Sequence, residues 1–145
     1  MFNEDVNKLA ETITDDILYL DPPYNQRQYA TNYHMLETIA KYDNPVVHGK
    51  TGLRDYQKQK SAYCSRTIVK KQFKDLIDKA KVKYIFLSYN NEGLMSIDDI
   101  KEVMSGRGEY GFFTKEYNRF KADKCVNRDF KANKTVEYLH YVVCK

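Results

Sequence analysis

Two hydrophobic periods run along this chain. Phe2, Val6, Leu9 and Ile13 recur at helical spacing and predict an amphipathic helix at the N-terminal end. The apolar run Ile17-Leu18-Tyr19-Leu20 follows, rich in branched and aromatic side chains, and predicts a short buried strand. Pro22 and Pro23 end that strand, because neither offers an N–H to a sheet ladder. Met35, Leu36, Ile39 and Ala40 mark a helix that stops before Asn44-Pro45. From Ser61, a helix carrying Val69, Phe73, Leu76, Ile77 and Ala80 on one face leads to a second apolar strand, Tyr84 to Ser88.

Ser96 then starts a helix with good local signals. Its hydroxyl caps the first turn, Asp98 and Asp99 suit the positive end of the helix dipole, and Met95 can staple against Ile100. Arg107-Gly108 ends it. The last third alternates as β structure, with Phe112, Phe113, Tyr117 and Phe120 in one strand region and Val136 to Cys144 in the other. Between them lie Lys121, Lys124, Arg128, Lys131 and Lys134, so the simplest reading is an antiparallel hairpin with a basic loop. Strand, helix, strand, helix and terminal hairpin make an α/β chain.

Composition narrows the class. The 145 residues, 42% of them hydrophobic, suffice for one domain with a real core. No apolar run approaches the ~20 residues of a membrane span, and Met1 to Ala10 lacks the apolar segment of a signal peptide. No membrane association is expected, and the location expected is cytoplasmic. Cys64, Cys125 and Cys144 are too few and too widely spaced for a disulfide framework or a zinc site. The net charge of +4 permits a nucleic-acid partner without demanding one.

The chemistry concentrates where the first strand ends. Asp21-Pro22-Pro23-Tyr24 puts a carboxylate, a rigid turn and an aromatic ring at a strand's carboxyl end, where open α/β sheets bind ligands. Asp21 accepts hydrogen bonds through either carboxylate oxygen, and the Pro22 carbonyl is aimed by two fixed φ angles. Tyr24 offers a flat face for a base taken out of a helix. Two acceptors and one platform suit an exocyclic amine on a planar heterocycle, its lone pair turned toward an electrophile. The competing reading is a plain turn, since Asp, Pro and Tyr are all common in turns.

Ile17 to Tyr24 resembles the catalytic motif of the amino-methyltransferases that act on DNA, (Asp/Asn/Ser)-Pro-Pro-(Tyr/Phe), in the form typical of adenine 6-amino methyltransferases. Tyr29 to Thr38, Tyr84 to Leu94, Tyr117 to Lys121 and Glu137 to Val143 resemble later segments of the Dam-like group of that family. The resemblance implies part of a Rossmann-like methyltransferase sheet: parallel strands flanked by helices, with a C-terminal antiparallel hairpin. It implies methyl transfer from S-adenosylmethionine to the adenine 6-amino group in double-stranded DNA, with no metal. Asp21 and Pro22, with Pro23 and Tyr24, would be catalytic, Asp21 would also touch the cofactor, and Tyr24 would stack on the flipped base. The family's glycine-rich cofactor loop should lie upstream of the motif, yet Met1 to Asp16 holds no glycine, and the target-recognition segment is not seen. Residues 1–145 are therefore expected to form a single but partial catalytic domain, a C-terminal half. Such a half leaves a sheet edge uncovered, so either marginal stability or a partner is expected: a separate N-terminal half, or another copy. Other readings are a non-catalytic remnant that binds nucleic acid or a partner, and a fragment of an RNA or guanine-amino methyltransferase.

Further candidates carry two readings each. Tyr29 and Tyr33, with His34, are either turn packing or contacts to the flipped base or its strand. Ser88, Tyr89 and Asn90 either wall the base pocket or form an ordinary turn. Lys50 and Arg54, with Lys58 and Lys60, are either phosphate contacts or charges of a solvated loop. Arg119 and Lys121, set among aromatics, suit a nucleic-acid backbone or serve solubility alone. Gly49-Lys50-Thr51 superficially resembles a phosphate-binding loop. The full pattern needs a glycine where Asn44 stands, so a nucleoside triphosphate site is rejected.

Overall fold

The computed structural model describes residues 2–118 and 134–145. The N-terminal helix is shorter than its apolar spacing suggests. The Asp5 side chain accepts from the backbone N–H groups of Asn7 and Lys8, which sets the start of α1 (Val6–Thr12) and leaves Phe2 exposed outside it. Strand β1 (Thr14–Leu20) follows directly. After the Pro-Pro turn come the one-turn α2 (Tyr29–Asn32), α3 (His34–Lys41) and a small hairpin of β2 (Val47–His48) and β3 (Leu53–Arg54). Ser61 does not open the long helix that follows. It caps a 3-10 turn, Ala62–Cys64, and α4 (Val69–Lys79) begins one turn later.

β4 (Lys81–Asn90) is longer than the apolar stretch that announces it, and α5 (Ile97–Ser105) leads into the hairpin β5 (Gly108–Asn118) and β6 (Lys134–Cys144). Of the basic loop expected between these strands, Lys121, Lys124, Arg128 and Lys131, with Arg119 before them, lie outside the described residues, whereas Lys134 opens β6. The sheet order is β1-β4-β6-β5, with β1 parallel to β4 and both contacts of β6 antiparallel. The architecture is thus a mixed α/β sheet with helices, as the patterning indicates.

Register decides which residues share a face. Leu18, Ile85, Val142 and Tyr110 form one cross-strand row, and Leu20, Leu87, His140 and Phe112 the next. This face joins Phe73, Leu76 and Ile77 of α4 and Ile100, Val103 and Met104 of α5 in the core. At roughly 2 kcal/mol for each fully buried large side chain, that cluster is the main source of stability. The Ser96 hydroxyl accepts from the Asp99 N–H while the Asp99 carboxylate accepts from the Ser96 N–H, a closed capping box. Lys70 of α4 then bridges Asp99 and Glu102, tying the two helices together.

The opposite sheet face differs. Its rows are Ile17–Tyr84–Val143, Tyr19–Phe86–Tyr141 and Ser88–Leu139–Phe113. Ile17, Tyr19 and Phe113 are 57%, 60% and 64% exposed. Parallel strands are normally covered on both faces, so an apolar face open to water at β1 is unusual.

Candidate active site

β1 delivers the motif. Leu20 is buried in the core, and the very next residue, Asp21, emerges exposed at the carboxyl end of the strand. Pro22 and Pro23 are half-buried and Tyr24 is 42% exposed, so the ring is available to a ligand without being free of the protein. Asp21, Pro22 and Pro23 line a cavity of about 800 Å³ together with Lys60, Tyr63 and Phe73. That size lies within the range of small-molecule sites.

The segment after the motif is folded back by hydrogen bonds. The Asn25 side chain accepts from the Arg27 N–H at 2.8 Å, a local turn bond. The Gln28 amide and the Ser61 backbone exchange two bonds, at 3.1 and 2.8 Å. Tyr29 and Tyr33, one turn apart, lie with their rings nearly parallel, 7° between planes and 5.9 Å between centroids, and both are about half exposed. Partial burial raises the Tyr29 phenol above its ordinary value, and the charges of Tyr24 and Asp21 raise it further. Tyr29 therefore belongs to the same cluster as the motif, and Tyr33 stands beside it.

A second polar network supports the cavity floor. The Tyr63 hydroxyl donates to Asn7 Oδ1 at 2.9 Å, and Asn7 Nδ2 donates to the Gln72 carbonyl and the Asp75 carboxylate. Burial pushes the Tyr63 phenol well above its usual range, so it remains a neutral donor. Nothing in the sequence pattern marks Asn7, Gln28 or Tyr63. Their partners lie 33 to 68 positions away, beyond any local signal.

The other candidates separate. Ser88 is half-buried on the open sheet face at the carboxyl end of β4, the same end as Asp21. Tyr89 is buried, and its hydroxyl accepts from the N–H groups of Leu94 and Met95 at 3.0 and 3.3 Å. Its ring lies where a Cβ on Gly93 would sit, which is why only glycine fits there. Asn90 is buried too and accepts from the Glu92 N–H. Tyr89 and Asn90 thus build the turn after β4, at the same end of the sheet as Asp21. Lys50 is exposed on the β2–β3 turn. Arg54 is not: it is buried against the Asp43 carboxylate through both terminal nitrogens. That ion pair ties β3 to the segment after α3. Arg119 and Lys121 lie outside the described residues. Among the described residues, no cluster of three or more His, Cys, Asp or Glu is placed to hold a metal, and no helix is long and apolar enough to cross a membrane.

The described residues thus set an Asp-Pro-Pro-Tyr turn at the carboxyl end of β1 in a mixed α/β sheet. The family profile for the D12 class N6 adenine-specific DNA methyltransferases matches residues 1–105, and the chain belongs to that family. It is 54% identical over 140 residues to the type II methyltransferase M.NlaIII of Neisseria lactamica, covering 97% of this chain and 41% of that protein. It is 42% identical over 144 residues to the type II methyltransferase M.FokI of Planomicrobium okeanokoites, covering 97% of this chain and 22% of the relative. With the type II methyltransferase M.CviAII of Paramecium bursaria Chlorella virus 1, identity is 34% over 142 residues, 97% of this chain and 40% of that protein. The chain therefore spans about two fifths or less of these relatives. No solved structure matches it significantly.

Proposed function

We propose that this chain carries the catalytic-motif part of an adenine-specific DNA methyltransferase, transferring a methyl group from S-adenosylmethionine to the adenine 6-amino group in double-stranded DNA. The observation that carries the reading is Asp21-Pro22-Pro23-Tyr24 at the exposed carboxyl end of β1, beside the cavity of about 800 Å³. The sheet is read as part of a Rossmann-like methyltransferase sheet, in a cytoplasmic setting. The cavity's size and the carboxylate at its edge fit a donor that carries a cationic sulfonium and a primary ammonium. When bound, that donor supplies an electrophilic methyl group.

The chain's own residues do the rest. The Asp21 carboxylate and the Pro22 carbonyl accept the two N–H groups of the target amine, which leaves the nitrogen lone pair directed away from both. As the nitrogen–carbon bond forms and the donor's sulfur–carbon bond breaks, the amine would shed one proton, which Asp21 would receive and pass to water. Tyr24 holds the flipped ring by stacking, with Tyr29 beside it and Tyr33 on the strand side; Ser88 faces the same end of the sheet. Orientation of this kind accounts for much of the rate. Lys50 stands as a phosphate contact at the edge. The apolar open face of the sheet supports a partner polypeptide, either a separate N-terminal methyltransferase half or a second copy.

Calorimetric titration of S-adenosylmethionine into the parent and into Asp21→Ala tests the placement. Heat lost on substitution, with folding intact, is the expected result. Equal binding by both proteins would remove Asp21 from the donor site.

A further inference from the structure

Gln28 occupies the residue before α2, yet its amide does nothing for its own helix. No side-chain bond caps α2 there, and the first-turn groups are served instead by the Gln28 backbone carbonyl, which accepts from Thr31 and Asn32. The side chain turns outward to a segment 33 residues away. Its Nε2 donates to the Ser61 carbonyl at 3.1 Å, and its Oε1 accepts from the Ser61 N–H at 2.8 Å. Ser61 is extended there (φ −87°, ψ 131°), so the primary amide pairs with it as a neighbouring strand would. One residue earlier, the Arg27 carbonyl accepts from the Cys64 thiol at 3.4 Å. Three bonds thus fasten Arg27-Gln28 to Ser61–Cys64.

Both sides of this clasp lead to the site. Ser61, Ala62 and Tyr63 line the same cavity as Asp21, Pro22 and Pro23. Tyr63 is itself fixed to α1 and α4 through Asn7. On the other side, Gln28 stands between Tyr24 and Tyr29, and Asn25, Gln26 and Arg27 are exposed. Together with the local Asn25 turn, these bonds hold the Tyr24 loop between the Pro-Pro turn and α2.

We propose that Gln28 is a positioning residue, whose two-point pairing with Ser61 holds the Tyr24 loop against the cavity wall and so sets the base platform relative to Asp21. This rests on the reading of Tyr24 as that platform. Displacing a reacting group by about 1 Å can cost about 100-fold in rate, so a clasp of this kind matters without touching substrate.

The test separates capture of a base from attachment to DNA. Quenching of 2-aminopurine deoxyriboside fluorescence reads stacking on the platform and needs no recognition sequence; anisotropy of a labelled duplex reads DNA attachment. Gln28→Ala should weaken the first about tenfold and leave the second within about twofold. Gln28→Glu keeps the acceptor for the Ser61 N–H but loses the donor, and should fall between parent and Gln28→Ala. Parent-like quenching in Gln28→Ala overturns the proposal. Equal loss of both signals in a folded protein also overturns it, since Gln28 would then contact DNA or serve the fold generally. If Gln28→Ala does not fold, Gln28→Glu decides, parent-like quenching again counting against. Tyr24→Ala is the control for the underlying reading. Quenching that survives it shows that the base binds elsewhere and removes both proposals, whereas quenching lost with Tyr24→Ala but kept with Gln28→Ala removes only the clasp.

Discussion

His140 couples the core to pH. It is fully buried in β6, with Nδ1 sharing a 2.8 Å hydrogen bond with the Tyr110 hydroxyl and Nε2 without a partner among the described residues. Burial disfavours the imidazolium and pulls the side chain down from 6.5 to about 4. The unfolded chain takes up a proton near pH 6.5, whereas the folded one resists until about pH 4. Stability from this group is therefore complete above pH 6.5 and falls as pH drops from 6.5 to about 4, by roughly 3 kcal/mol in all. Urea unfolding across that range should show the decline, and His140→Gln, which keeps an acceptor for Tyr110 but does not titrate, should flatten it. An unchanged slope in the variant would assign the acid sensitivity elsewhere. Tyr24 is a residue-scale question of another kind. Stacking of one base on an aromatic ring contributes about 1–3 kcal/mol, so Tyr24→Phe should retain base capture and Tyr24→Leu should lose five-fold or more. Fluorescence titration with the aminopurine nucleoside distinguishes them, and equal loss in both variants would point to the hydroxyl instead of the ring face.

Elements show what the sequence makes legible. The capping box of α5 was readable because all its parts lie within four residues, Ser96 to Asp99. Ser96→Ala should cost about 1 kcal/mol, seen as a lower urea midpoint at unchanged slope; no change would mean that the Lys70 bridges alone hold that helix end. The apolar faces of α4 and β4 were equally plain, since burial repeats at the helix and strand periods there. Less legible was the span from Ser61 to Ile68. There the chain makes a 3-10 turn whose partners, Asn7 and Gln28, are remote in sequence. The bonding of Arg54 and Tyr89 was no more legible. Polar residues near a site look alike in sequence whether they face ligand or satisfy a buried turn, and only the Asp43 carboxylate or the Leu94 and Met95 N–H groups decide it. The Asp-Pro-Pro-Tyr motif was legible because its geometry is local: a strand, then two prolines that leave it one course.

For the whole molecule, the decisive feature is the open sheet face. Large side chains such as Ile17, Tyr19 and Phe113 already stand in water in the isolated chain, so replacing them by charge removes little native packing. Ile17→Glu with Phe113→Glu should therefore leave the unfolding midpoint nearly unchanged, each surface change costing about 0.5 kcal/mol or less. Association should respond very differently. A stable interface buries about 800 Å² on each partner, and a carboxylate placed within its apolar surface must be desolvated without a counter-ion. Sedimentation equilibrium of the parent chain should show self-association that rises with concentration and salt, as expected of apolar contact, and the double variant should sediment as a monomer. A parent that stays monomeric throughout would show that the open face does not drive copies together. The reading of that face would then rest on a different polypeptide, whose docking the same two substitutions should abolish. If the variant instead unfolds, the face is packed more tightly than its exposure implies, and the mixed sheet is complete as it stands.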